Sequence, residues 1–382
     1  MNELRQRLST GLRRLGAGVV LVGLLVGCAG GPDKPKPTEL APNAALINIR
    51  LAWSARIGPV SLPLDAKVHA ATVTLASSDG TLVALDGSSG QDLWRTTLGA
   101  AVGAGVGTDG RFAALVTRAN DLVVLERGRQ IWQEPLGTLA FTAPLVAGAR
   151  VFVATADRSV SAFDAQTGRR LWTYTRPGEQ ILALRQSGVL LAVGDTLVSG
   201  MSGRLVGLDP RTGSVRWDVA IANPRGTNDV ERLVDLVGSV SREGDVVCAR
   251  AFQAAVGCVN AARGSLLWTK PANGSEGVHG DAQSVFGTES DGLVVAWRRS
   301  DGQRTWTSDR LKFRGLTAPL SIGRSVAVGD AQGFVHFLSR QDGSPMGRVS
   351  TDGSAIAAAP VLVGNTLVVV TRNGGVFGYR PD

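Results

Sequence analysis

Short apolar runs separated by glycine-bearing turns set the pattern of this chain, and the segment TAPLVAGARVFVATADRSVSAFDAQTGRRLW, from Thr142 to Trp172, shows one period of it. Val151, Phe152 and Val153 form a β-branched and aromatic run after the turn at Gly148. Asp157-Arg158 predicts a hairpin turn, and Val160 to Phe163 returns with alternating side chains. Asp164 to Gly168 is a second turn, in which the acid accepts hydrogen bonds from backbone N–H groups and the glycine supplies a positive φ. Leu171 and Trp172 lie on the strand that leaves it. The layout recurs at Asp79-Gly80 with Asp86 to Gly90, at Ser202-Gly203 with Asp209 to Gly213, and at Asp291-Gly292 before Gly302. No segment of these repeats carries a helical apolar period.

The tryptophans mark the repeat. Seven of the eight stand at 53, 94, 132, 172, 217, 268 and 306, at intervals of 41, 38, 40, 45, 51 and 38 by subtraction. Gly90, Gly128, Gly168, Gly213, Gly264 and Gly302 each precede a Trp by four residues. Four strands bury only part of their apolar surface alone, so such sheets must stack on one another, and a large flat Trp suits the joint. Trp53, in LAWSARIG, has no hairpin strands before it, whereas Ala358 to Tyr379 supplies three strands with a turn at Asn373-Gly374. A seventh repeat, Thr317 to Gly347, keeps Gly343 but has Gly347 where the Trp would be. The expected fold is therefore all-β: an eight-bladed β-propeller of four-stranded antiparallel blades, its ring closed by an N-terminal strand that completes the last blade.

Composition changes this picture little. The chain is 44% hydrophobic and 19% charged, with 49 glycines and a formal charge of +8, no long basic run and no stacking motif, which argues against nucleic acid. Its first residues do add something. Arg5, Arg7, Arg13 and Arg14 precede an apolar run from Ala17 to Val26 that is too short to span a bilayer, so residues 1–27 read as a signal peptide. Leu25-Val26-Gly27-Cys28 resembles the lipobox of bacterial lipoproteins, which implies lipidation at Cys28; Ala29, rather than an Asp, implies sorting to the outer membrane. Pro32, Pro35, Pro37 and Pro42 make residues 28–48 an expected flexible tether ahead of the propeller at 49–380. The remaining cysteines, Cys248 and Cys258, are symmetric about Gln253 and fit a cross-strand disulfide in an oxidising compartment or two buried thiols.

Catalytic chemistry is sparse. His69, His279 and His336 fall in separate repeats without metal-ligand spacing. There is no G-x-S-x-G elbow or phosphate loop, and Gly105, Gly107 and Gly110 match G-x-G-x-x-G only as a glycine-rich blade turn followed by a strand. Asp79, Asp86, Asp157, Asp164, Asp209 and Asp291 recur at equivalent turns, as folding requires and a single active site does not. No catalytic, cofactor or metal residue is expected.

Ala162-Phe163-Asp164-Ala165-Gln166-Thr167-Gly168 to Trp172, and Gly207-Leu208-Asp209 to Trp217, resemble the repeat of quinone-dependent dehydrogenases and their non-enzymatic relatives. Those enzymes typically carry adjacent cysteines and a calcium site; this chain has no Cys-Cys and lacks room for their inserted loops. A quinone-dependent periplasmic dehydrogenase or another ligand-binding propeller is thus the lesser alternative. Lipobox, Pro-rich tether and eight-bladed ring together resemble the BamB family, lipoprotein subunits of the outer-membrane β-barrel assembly machinery. Leu182-Ala183-Leu184-Arg185 matches that family's L-x-L-R loop, and Glu231-Arg232-Leu233-Val234-Asp235 its acidic R-L-x-D segment. The resemblance implies a non-enzymatic scaffold on the periplasmic face of the outer membrane. It would bind the barrel-forming subunit BamA through Leu182, Leu184, Arg185 and Asp235, and nascent outer-membrane proteins would be further partners. A second acid of the family pattern is replaced by Val237.

Overall fold

The computed structural model describes residues 35–178, 182–225, 227–228 and 232–381. The expected signal peptide, Cys28 and Glu231 lie outside the described residues. Within them the chain forms eight four-stranded antiparallel sheets and no helix. Blades 1 to 7 each use four consecutive strands, beginning with Lys67–His69 and ending with Pro345–Ser350. Blade 8 combines Val361–Val363, Thr366–Val370 and Gly375–Pro381 with the first strand of the chain, Ile49–Arg56. The two middle strands of a blade are covered on both sides by neighbouring blades. Strand Phe112–Thr117 is buried at every position, whereas the outermost strand Asp92–Thr97 is exposed at Asp92, Leu93, Arg95 and Thr97. The alternation expected for Val160 to Phe163 is accordingly incomplete: only Ser161 of these four is partly exposed, because a sandwiched sheet has no solvent face.

The glycine and the Trp of one repeat are close in sequence but serve different joints between blades. The ring of Trp132 lies against Gly168 of the next blade, and its Nε1 donates to the Ala165 carbonyl oxygen at 2.8 Å. Gly168 has φ 74°, and a Cβ there would stand 2.8 Å from Trp132 Cδ2, so the site needs glycine twice over. The same one-blade offset pairs Trp53 with Gly90, Trp94 with Gly128, Trp172 with Gly213, Trp217 with Gly264, Trp268 with Gly302 and Trp306 with Gly343. In the repeated Gly-x-x-x-Trp, therefore, the glycine receives the preceding blade's Trp and the Trp covers the following blade's glycine.

This offset explains Gly347. The blade after it is blade 8, whose third and fourth strands are the two ends of the chain and are joined by no turn. A Trp at 347 would have no turn glycine to cover. The space is taken by the N-terminal segment instead: a Cβ on Gly347 would meet Ile47 Cγ1 at 3.1 Å. Residues 38–47, about the second half of the expected flexible tether, are instead fastened to the ring. Thr38 N donates to Lys312 O at 3.0 Å, Asn43 Nδ2 to Arg348 O at 3.0 Å and Leu46 N to Met346 O at 2.8 Å. Arg314 Nη1 and Arg348 Nη1 donate to the carbonyls of Thr38 and Ala41. Leu40 and Ile47 pack on apolar clusters of the ring. The segment covers the outer strand Pro345–Ser350 of blade 7. Ile47→Asp is expected to lower unfolding free energy in urea by about 1–3 kcal/mol; an unchanged midpoint would mean that the strap does not contribute to closure.

Two smaller features complete the core. Gly105 and Gly107 lie within the innermost strand Val102–Thr108 of blade 2, not in a turn, and only Gly110 is at the turn. Glycine is needed at 107 because its Cα faces the Pro144 carbonyl of blade 3 at close range. Cys248 and Cys258 are register partners on adjacent strands of blade 5, fully buried and joined by a disulfide, with Cα atoms 3.9 Å apart.

Candidate functional site

Turns within the outer and inner pairs of strands lie on one face of the ring. The linkers between blades lie on the other, with the turns joining second to third strands. Both segments singled out in the sequence are on this linker face, at the two longest Trp intervals. The first follows strand Arg170–Thr175 of blade 3 and precedes Leu190–Val193 of blade 4. It therefore belongs to no strand, unlike an ordinary inward-facing first strand. Leu182 is 54% exposed and Arg185 is exposed, while Leu184 is partly buried.

From Leu184 to Gly188 the loop is fastened at nearly every residue. Leu184 N donates to Asp235 Oδ2 at 2.9 Å. Gln186 Nε2 donates to Ser275 O at 2.7 Å, across to the blade 6 linker. Gly238 N donates to Ser187 O at 2.9 Å, and Gly188 N to Thr142 Oγ1 at 2.9 Å. Gly188 also bridges Val237 in antiparallel fashion, and a Cβ on Gly238 would come within 2.9 Å of Gly188 O. The loop thus runs inward to the channel mouth. There Arg185 borders a cavity of about 390 Å³ together with Asp65, Lys67, Glu276 and Arg372. Burial pushes the Glu276 carboxyl up, against the pull of Arg250 and Arg372.

The second segment enters strand Leu236–Glu243 of blade 5. Val234, Leu236 and Val237 are buried, and Asp235 O accepts from Phe252 N at 2.9 Å. Asp235 consequently turns its carboxylate toward the first loop, in a cleft of about 70 Å³ with Arg158, Leu184, Met201 and Ser202. The four candidates divide into two that are displayed, Leu182 and Arg185, and two that support, Leu184 and Asp235. Val237, where the family pattern has an acid, is inside the blade and displays nothing. The fastening residues Thr142, Arg158 and Gln186 gave no sequence signal. Gly188 and Gly238, glycines outside the repeated turn positions, are the signal that could have pointed to them.

Burial raises the Asp235 pKa, and the Leu184 N–H and the Arg158 charge lower it by less. A raised folded-state pKa means that the proton is held more tightly in the folded chain. The stabilising contribution is therefore complete below the unfolded pKa and is lost as pH rises through the folded one. Asp235→Asn retains an acceptor for Leu184 and removes the buried charge. Its thermal stability is expected to exceed wild type at neutral pH, with the difference closing in acid; an Asn variant that melts lower at neutral pH contradicts this.

Comparison with known proteins supplies the family. The profile of the family described as outer membrane protein assembly factor BamB matches residues 78–308. The outer membrane protein assembly factor BamB of Burkholderia pseudomallei is 39% identical over 370 residues, 96% of each chain. That of Bordetella pertussis is 34% identical over 373 residues, 95% of this chain and 96% of its own. The crystal structure of BamB from Moraxella catarrhalis superposes with a TM-score of 0.78 at 26% identity, covering 87% of this chain and 99% of that one. A quinohemoprotein alcohol dehydrogenase from Comamonas testosteroni, at 14% identity and TM-score 0.67, shares the fold alone. The relatives are named as outer membrane protein assembly factors and not as enzymes. The chain belongs to the BamB family of outer membrane protein assembly factors.

Proposed function

We propose that the linker face docks the barrel-forming subunit BamA, with Leu182 and Arg185 making contact and Leu184 and Asp235 holding them in place. The observation that carries the reading is the 2.9 Å hydrogen bond from Leu184 N to Asp235 Oδ2, which joins two segments 51 residues apart into one surface. An exposed Leu beside an exposed Arg on a fastened loop combines the apolar and planar cationic contacts that dominate protein interfaces, with little ordering cost left at binding. The scaffold is anchored by lipid at Cys28 on the periplasmic face of the outer membrane, and its action is positional: it orients the partner's periplasmic domains while client strands insert. Nascent outer-membrane proteins are held nearby, and no cofactor takes part.

Arg185→Glu tests this. The guanidinium is exposed, so the variant should fold normally, yet it should lose co-purification of the partner by at least tenfold. Wild-type recovery of the partner by a folded Arg185→Glu chain would remove the loop from the interface.

A further inference from the structure

The face opposite the linkers is charged unevenly. On blades 2 and 3 its turns carry six arginines, Arg111, Arg127, Arg129, Arg150, Arg169 and Arg170, against three carboxylates, Asp109, Glu126 and Asp164. All three acids are engaged. Asp109 Oδ1 accepts from the N–H groups of Arg111 and Phe112 at 3.0 and 2.8 Å, and Asp164 Oδ1 accepts from those of Gln166 and Thr167 at 3.1 and 2.8 Å. Glu126 pairs with Arg111 at 2.7 Å. Arg111 also reaches Gln166 Oε1 of blade 3 at 2.8 Å, which makes the two sets of turns one surface. Arg127, Arg129 and Arg169 are exposed and stand outside the ion pairs formed among the described residues. The excess ends at its neighbours: in blade 4 Arg216 is matched by Asp195 and Asp209, each at 2.8 Å, and in blade 1 Arg95 is matched by Asp92.

We propose that this turn face of blades 2 and 3 is a contact surface for anionic phospholipid headgroups. None of the large exposed hydrophobic residues lies in these turns, so the surface lacks the apolar centre of a protein interface. Guanidinium groups held on short hairpin turns match phosphate oxygens in charge and geometry. Each basic residue near an anionic leaflet strengthens partition by roughly fivefold. The surface is independent of the docking face and of the lipid proposed at Cys28.

The test uses residues 29–382 made without lipid, because all eight blades and their closure lie within residues 37–381. Co-sedimentation is measured with vesicles of phosphatidylcholine alone and of phosphatidylcholine with phosphatidylglycerol. Wild type should bind only the anionic vesicles, and less as salt rises. The triple variant Arg127→Ala, Arg129→Ala, Arg169→Ala should bind at least tenfold more weakly with an unchanged melting temperature. The equally charged control on the linker face, Arg118→Ala, Arg225→Ala, Arg310→Ala, should bind as wild type. Undiminished binding by the turn-face variant, or equal loss in both variants, overturns the proposal. So does capture of soluble polyglutamate through these arginines by a chain that ignores vesicles, which would make the partner an acidic protein segment.

Discussion

Glu289→Ala is expected to cost about 3–5 kcal/mol of folding stability, more than any surface substitution in this chain. Arg250 is 0% exposed, and its Nη1 and Nη2 both donate to Glu289 Oε1, at 3.1 and 3.0 Å. The other carboxylate oxygen accepts from Asn273 N. The guanidinium lies 5.8 Å from the Trp297 ring centroid, and its Nε has no hydrogen-bond partner among the described residues. Burial already disfavours the charged form of Arg250, and Glu289 is the main group opposing that. Removing the acid leaves a buried cation uncompensated, which costs far more than the pair contributes as a unit. Arg250→Met with Glu289→Leu should therefore recover much of the loss in urea denaturation. A single Glu289→Ala change that costs less than about 1 kcal/mol would show that water reaches this site.

The second large effect is at the joints. Trp268→Ala should cost about 3–5 kcal/mol, since the ring is 6% exposed and Nε1 donates to Arg299 O at 2.7 Å. Trp217→Ala should cost measurably less. Trp217 is less buried, and its Nε1, although enclosed, has no acceptor among the described residues, so its removal also relieves a desolvation penalty of roughly 1–3 kcal/mol. Equal destabilisation of the two variants would mean that the hydrogen bond across the joint carries no weight.

The ring was legible in the sequence because its determinants are local. A glycine four residues before a Trp, with a turn acid ahead of it at Asp86, Asp164 and Asp209, defines a hairpin and the strand after it, and six copies of the glycine-Trp pair reveal the ring. Even the exceptions were informative: Trp53 and Gly347 located the closure. What filled the gap at Gly347 was not legible, since Pro-rich sequence carries no periodic signal and Ile47 finds its place only when blade 7 is built. Gly105 and Gly107 read as a turn because glycine signals close approach without saying to what; the answer, Pro144 of the next blade, is a tertiary contact. The same limit applied to the site. The sequence marked Leu182, Leu184, Arg185 and Asp235, but whether a residue is displayed or supporting depends on partners such as Asp235 for Leu184, 51 residues away. Arg250 was hidden for the same reason, its acid lying 39 residues further on.

The central claim is that the linker face docks the assembly partner through a loop held by Asp235. Hydrogen–deuterium exchange of the chain, alone and mixed with the periplasmic domains of BamA, tests it most directly. Slowed exchange should concentrate at residues 182–188 and 232–237, with the turns of blades 2 and 3 unaffected. Saturable binding that leaves 182–188 exchanging at its free rate, or that protects another face of the ring, would contradict it.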